Sequence, residues 1–310
     1  MRLQSKDLIG LYGMPAEEIT YILDSAGTMK QLLRQKAKRM PHLQNKSVVS
    51  LFYENSTRTR LSFELAAKYL GAAASSLGVS SSSVAKGETL LDTGKTIEAM
   101  GADIIIIRHP FAGAPKLLAD NISCGVINAG DGMHEHPTQA LLDLFTMRER
   151  FGRIEGLNVS IIGDIYHSRV ARSNLWALSK MGAKVTLCAP ATLLPQGIDT
   201  TGARAVSDLE EAVRTADVIM GLRIQQERLK GVFISTLREY YNFFGIAERL
   251  LEKSGKQMLI MHPGPVNRGV EISSAAADGA GSAINEQVTN GVAVRMALLY
   301  LLTRRRGDEA

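Results

Sequence analysis

The densest group of reactive side chains in this 310-residue chain is Ser56-Thr57-Arg58-Thr59-Arg60. Its five consecutive hydroxyl and guanidinium donors fall between an apolar run and an amphipathic one, at a strand-to-helix turn. Helix N-termini offer unpaired backbone N–H groups and a partial positive charge, and adding these side chains makes a donor set suited to a phosphate dianion. The competing account is an N-cap serine with solvent-exposed arginines; it suits a single Ser–Arg pair better than five donors in a row. Arg108 follows Asp103–Ile107 (DIIII), a place where a charge is costly unless it faces an anion or a cleft. His136-Pro137-Thr138-Gln139 opens a helix, with Pro137 and Thr138 suited to its first turn. His134-Glu135-His136 does not read as a metal site, because alternate side chains diverge once a helix begins and no third ligand is apparent.

A second group lies further along. Asp164-Ile165-Tyr166-His167-Ser168-Arg169 follows the apolar run Val159–Ile162, and Arg223-Ile224-Gln225 follows Val218–Leu222. Arginines at two strand ends can each pair with a carboxylate, as a dicarboxylate ligand requires, although either one alone reads as a surface salt bridge. Gly163 is not followed by GxGxxG spacing, so a dinucleotide is not expected. His262-Pro263-Gly264-Pro265 follows the last apolar run; two prolines fix a turn and leave backbone carbonyls available. Ser80-Ser81-Ser82-Ser83-Val84-Ala85-Lys86-Gly87 is by itself a polar linker.

Positioning these residues requires repeated strand-then-helix units. Ser47–Tyr53 is a buried strand, and Phe63, Ala66, Ala67 and Leu70 mark an amphipathic helix over Ser56–Leu70 that stops at Gly71. Strands are expected at Asp103–Ile107 and Gly125–Asn128, and a helix at Thr138–Arg150. A fresh series follows: strands at Leu157–Ile162, Lys184–Ala189, Val218–Leu222 and Met258–Met261, a helix carrying Ala171, Leu175 and Leu178, and a capping box of Ser207 with Glu210. Alternating elements predict an α/β protein of two doubly wound parallel-sheet domains, with ligands at the carboxyl ends of the strands in the cleft between them. The expected division is residues 1–145, 146–289 and a terminal helix over 290–310 that packs back on the first domain.

Composition narrows the classes. Charged residues at 22% and hydrophobic residues at 45% are ordinary for a globular chain and argue against disorder. The net charge of +5 raises nucleic-acid binding as a reading, but aromatics are only 5% and the basic residues are not interleaved with them. Arg34, Lys36, Lys38 and Arg39, like Arg304 to Arg306, read as solvated faces, and the positive excess would steer small anions. Val292–Leu302 is too short to span a bilayer. The N-terminus lacks a signal-peptide run, and the two cysteines, Cys124 and Cys188, read as core residues of a reducing compartment. A cytoplasmic protein without membrane, nucleic acid, metal or other cofactor is expected.

The segment from Phe52 to Glu64 (FYENSTRTRLSFE) resembles the carbamoyl-phosphate signature of the aspartate and ornithine carbamoyltransferases, and the later motifs follow in order over nearly the whole chain. The resemblance implies carbamoyl transfer with Arg58, Thr59, Arg108 and His136 as catalytic residues. It assigns Ser56, Thr57, Arg58, Thr59, Arg108, His136 and Gln139 to carbamoyl phosphate, with Gly264 and Pro265 holding the carbamoyl NH2 through backbone carbonyls. Relatives often carry a larger residue at the position of Gly264, and glycine would loosen the turn. Ser82 (Ser81 and Ser83 being alternatives) and Lys86 are also assigned to carbamoyl phosphate and would reach into the site of a neighbouring subunit, which implies a homotrimer. Regulatory subunits and a dihydroorotase are the partners the family suggests. Arg169, Arg223, Gln225 and Lys86 are assigned to an aspartate acceptor. Ornithine is the alternative, and this chain lacks the Cys-Leu-Pro segment and SMG loop of the ornithine branch; other anionic acceptors rank lower.

Overall fold

The structure, a computed structural model, describes residues 2–35, 40–78, 87–225, 236–253 and 255–307. Two compact units divide the chain: Met1–Leu142 with Val288–Ala310, and Asp143–Gln287.

The first unit is a parallel sheet of β1 (Ser47–Phe52), β2 (Ala73–Gly78), β3 (Ile104–His109) and β4 (Gly125–Asp131), in the order β2-β1-β3-β4. Every residue of β4 is buried, and β1 and β3 nearly so, as β-branched strands covered on both faces should be. Val49, Leu51, Ile105, Ile107 and Val126 pack with Ile97 and Leu118 into one cluster. These last two residues lie on α3 (Leu90–Ala99) and α4 (Ala114–Ala119). The remaining helices are α1 (Ala16–Leu33), α2 (Thr57–Tyr69), α5 (Pro137–Phe151), which runs on into the second unit, and α11 (Ile284–Gly307), which joins the first unit from Val288.

The second unit orders its parallel strands β7-β6-β5-β8-β9: β5 (Asn158–Ile162), β6 (Lys184–Cys188), β7 (Arg204–Val206), β8 (Val218–Gly221) and β9 (Leu259–Met261). Its helices are α6 (Arg169–Lys180), α7 (Leu209–Arg214), α8 (Leu237–Phe244), α9 (Glu248–Lys253) and α10 (Ser274–Asp278). Ile162, Val213, Ile219, Leu250, Ile260 and Ile272 belong to its core. Cys188 lies in that core too, and burial, followed by Asp208 and Glu211, pushes its thiol up to about 12.

Both sheets reverse direction once. The chain lays β2 on one side of β1 and then β3 on the other; it lays β6 and β7 on one side of β5 and then β8 on the other. Each unit therefore has a topological switch point, between β1 and β3 and between β5 and β8, where the loops after adjacent strands diverge and leave a crevice.

Several elements differ from the sequence expectation. The cap of α7 is Asp208, whose side chain accepts from the Glu210 and Glu211 N–H groups, not Ser207. Strand β4 extends three residues beyond Asn128, and β3 runs past Arg108 to His109. Strands β2 (AASSLG) and β7 (RAV) carry no alternating or continuous apolar pattern and are mostly exposed, so periodicity could not mark them. The loop holding Ser82 and Lys86, and the basic residues Lys36, Lys38 and Arg39, lie outside the described residues. Among the described residues no helix is long and apolar enough to cross a membrane, and no cluster of His, Cys, Asp and Glu could hold a metal ion.

Candidate active site

Three adjacent strands of the first unit deliver the predicted donors to one edge. After β1, residues Glu54 to Ser56 lead into α2, so Thr57, Arg58 and Thr59 occupy its first turn. Ser56 is the N-cap residue, extended at φ −158°, yet its side chain makes no cap hydrogen bond. Its hydroxyl instead accepts from Arg108 Nη1 at 3.2 Å, across the switch point. Arg108 Nε donates to Glu54 Oε2, also at 3.2 Å, with the two side chains only 16% and 22% exposed. The guanidinium is thus held at two corners, and the first N–H groups of α2 are left without the cap serine's oxygen. Both features suit an anion. Thr59 is buried and Arg58 exposed.

His136 and Gln139 stand beyond the end of β4, both buried. The His136 carbonyl accepts from the Gln139 and Ala140 N–H groups, which makes His136 the residue that starts α5. The approach to it is rigid. Asp131 accepts from Gly113, Glu135 and Asn128 and faces His134 Nδ1 at 3.0 Å. Burial alone would raise the Asp131 carboxyl, but hydrogen bonds from His134, Gly113 and Asn128 outweigh it and hold it below the ordinary value.

In the second unit, Gly163 ends β5 at φ 133°, and a Cβ there would meet the Leu222 carbonyl oxygen at 2.6 Å. Only glycine allows the β5 and β8 ends to approach so closely. Asp164 and His167 are buried; the carboxylate faces His167 Nδ1 at 2.8 Å and accepts the Gln225 N–H at 3.3 Å. Gln225 Nε2 donates to the His167 carbonyl at 3.0 Å. Arg169 is the buried first residue of α6, capped by Ser168, and Arg223 is half-buried between β8 and Gln225. After β9, Gly264 adopts φ 69°, a left-handed conformation suited to glycine, and the Gly264 N–H donates to His262 Nδ1 at 2.9 Å.

The chain can now be placed. Residues 6–149 match the carbamoyl-P binding domain, and residues 155–302 the Asp/Orn binding domain, of the aspartate/ornithine carbamoyltransferases. The chain belongs to that family. The aspartate carbamoyltransferase catalytic subunit of Acetivibrio thermocellus is 62% identical over 310 residues, covering 100% of this chain and 99% of its own. Among solved structures, the catalytic subunit of the M. jannaschii aspartate transcarbamoylase superposes with TM-score 0.88 at 36% identity, covering 98% of this chain and 100% of its own. The Trypanosoma cruzi aspartate transcarbamoylase, in complex with carbamoyl phosphate and aspartate, gives 0.88 at 30% identity, covering 96% and 97%.

Within this carbamoyltransferase fold, the structure gathers Ser56, Thr57, Arg58, Thr59 and Arg108 at the β1–β3 switch point and sets His136 and Gln139 beyond the end of the neighbouring β4. It gathers Arg169, Arg223 and Gln225 at the β5–β8 switch point, with Gly264 and Pro265 after the adjacent β9. The sequence reading assigned no role to Glu54, which tethers Arg108. Its position between an apolar strand and a donor cluster was the available signal. It also missed a buried chain in the second unit. Asn174 Nδ2 donates to Asp143 at 2.9 Å, Gln287 Nε2 donates to Asp143 at 2.8 Å, and the His262 N–H donates to Gln287 Oε1 at 2.9 Å. These partners are 25 to 144 residues apart, so no local pattern could connect them.

Proposed function

We propose that this protein transfers the carbamoyl group of carbamoyl phosphate to the amino group of L-aspartate, giving N-carbamoyl-L-aspartate and phosphate, a step of de novo pyrimidine synthesis. The observation that carries this reading is Arg108 braced by Glu54 and Ser56 beside the uncapped start of α2. It supports a fixed cation at a helix N-terminus suited to a phosphorylated acyl group.

Ser56, Thr57, Arg58 and Thr59 hold the phosphate, and Gln139 with the Gly264 and Pro265 carbonyls holds the carbamoyl NH2. Arg169, Arg223 and Gln225 take the two carboxylates of aspartate. The uncharged amine attacks the carbonyl carbon, and Thr59, Arg108 and His136 stabilise the oxyanion that develops. The carbon–oxygen bond to phosphate then breaks, and the departing phosphate accepts the amine proton. Holding both reactants in line supplies much of the rate. We place the protein in the cytoplasm as a homotrimer whose sites are completed by Ser82 and Lys86 of a neighbouring subunit, open to association with a regulatory subunit or a dihydroorotase.

The deciding experiment is an acceptor screen with carbamoyl phosphate, in which phosphate release is expected with aspartate and not with ornithine. Turnover with ornithine alone would overturn the acceptor assignment, and no turnover with any amine would overturn carbamoyl transfer. Mixing an Arg58→Ala chain with a Lys86→Ala chain should regain activity if sites are shared; no recovery would mean self-contained sites.

A further inference from the structure

The turn after β9 is held by a pair of buried ionisable side chains to which the reaction above gives no role. His262 and Glu271 are each 1% exposed, and His262 Nε2 lies 3.3 Å from Glu271 Oε1, just outside hydrogen-bond geometry. Because His262 Nδ1 accepts the Gly264 N–H at 2.9 Å, its proton must sit on Nε2, on the side of the carboxylate. The same carboxylate oxygen accepts the Asn267 N–H at 2.5 Å. One imidazole and one carboxylate therefore grip both arms of the turn, with Pro265 between them.

The surroundings leave the ring little freedom. Its own backbone N–H is bound by Gln287, and a Cβ on Gly221 of β8 would approach His262 Cδ2 to 3.3 Å. From α8, Tyr240 is buried within electrostatic reach of the same carboxylate; burial first, and Glu271 next, hold its phenol far above its ordinary value. Glu271 Oε2, the Tyr240 hydroxyl and His262 Nε2 have no hydrogen-bond partner among the described residues. Burying such atoms without a partner costs stability. An apolar pair of the same size would spare those atoms but leave the Gly264 and Asn267 N–H groups without their acceptors, so what the pair secures is the shape of the turn.

We propose that His262 and Glu271 are positioning residues for the carbamoyl end of the substrate: Glu271 fixes the His262 tautomer, and His262 Nδ1 fixes Gly264, so that the Gly264 and Pro265 carbonyls point at the carbamoyl NH2. This rests on the reaction proposed above and adds to it the groups that set the geometry of that subsite. Substrate atoms touch the turn and not the pair. A phosphate ion lacks the carbamoyl group and should be indifferent to both residues.

That difference supplies the test. Binding of carbamoyl phosphate and of inorganic phosphate is measured calorimetrically for the wild type and for His262→Gln, His262→Asn and Glu271→Gln, with thermal unfolding as the folding check. Asn can present its side-chain oxygen where Nδ1 stands and keep the Gly264 bond; Gln reaches toward Glu271 and loses it. His262→Gln should weaken carbamoyl phosphate about tenfold, or about 1.4 kcal/mol, and leave phosphate within about twofold. Glu271→Gln, which leaves only a neutral amide oxygen facing Nε2 and the Asn267 N–H, should weaken carbamoyl phosphate in the same direction, while His262→Asn stays within about threefold for both ligands. Equal losses for the two ligands in His262→Gln, or a loss in His262→Asn as large, would reduce the pair to a structural role and overturn the proposal. If His262→Gln fails to fold, Glu271→Gln against His262→Asn carries the same contrast. Failure of the wild type itself to bind carbamoyl phosphate would instead remove the reaction on which the proposal stands.

Discussion

The two switch points share a topology and differ in how their charges are satisfied. At β1–β3 Arg108 is braced by neighbours at its own edge, Glu54 and Ser56, beside a helix start whose cap serine makes no cap hydrogen bond. At β5–β8 the brace is backbone-directed: Asp164 accepts from the Gln225 N–H, and Gln225 donates to the His167 carbonyl, so the loop carrying Arg223 is tied down at its backbone. The first arrangement suits an anion whose charge changes during reaction, because fixed donors need no reorganisation. The second suits recognition of a ligand whose carboxylates stay ionised throughout. On the proposed reading, the same fold feature serves chemistry in one unit and selection in the other.

The sharpest attempt to break that contrast is Arg108→Ala. Turnover should fall by about 10²–10³-fold, the scale of a lost oxyanion donor, and near-normal turnover in a steady-state assay would end the chemical assignment. Arg223→Ala should act on selection instead, raising the aspartate KM by about 10–100-fold, as loss of a charge-assisted hydrogen bond does, with carbamoyl phosphate binding unchanged by calorimetry. Gly163→Ala drives a Cβ into the Leu222 carbonyl, and should cost about 1–3 kcal/mol in chemical denaturation and weaken aspartate but not phosphate binding. Glu54→Gln keeps Arg108 in place with one charge fewer behind it, and a kcat reduction of about three- to tenfold is expected, or roughly 1 kcal/mol.

The smallest effect is a pH dependence. The lowered Asp131 carboxyl stabilises the fold above its unfolded value, and that contribution fades as pH falls through its lower folded value. The stability gap between the wild type and Asp131→Asn should therefore be constant near neutrality and close only in strong acid. A gap that closes already near neutrality would overturn the assignment to the Asp131 carboxylate.

Most of what performs the proposed chemistry was legible in the sequence, because each reactive group sits next to a strand that marks itself. DIIII announces β3 and so exposes Arg108 as a charge at its end, and the apolar run before Glu54 does the same for Ser56 to Arg60. Elements without such marking were not legible: β2 and β7 pair through backbone atoms at exposed sheet edges, where side chains need follow no apolar pattern. Asp208 displaced Ser207 as the cap of α7 because adjacent polar residues compete for one position, and backbone geometry decides between them.

Residue types and spacing by themselves determined the fold class, the family likeness and the places where ligands should bind, since strand ends and hydrogen-bonding inventories are local properties. Only the tertiary structure decided what holds those places in shape. Glu54 behind Arg108, Asp164 beneath Gln225, Gln287 and Asp143 behind His262, and Glu271 across from its ring are contacts between segments that the sheet order brings together. Their partners are fixed by distance and burial, quantities that a linear pattern does not contain.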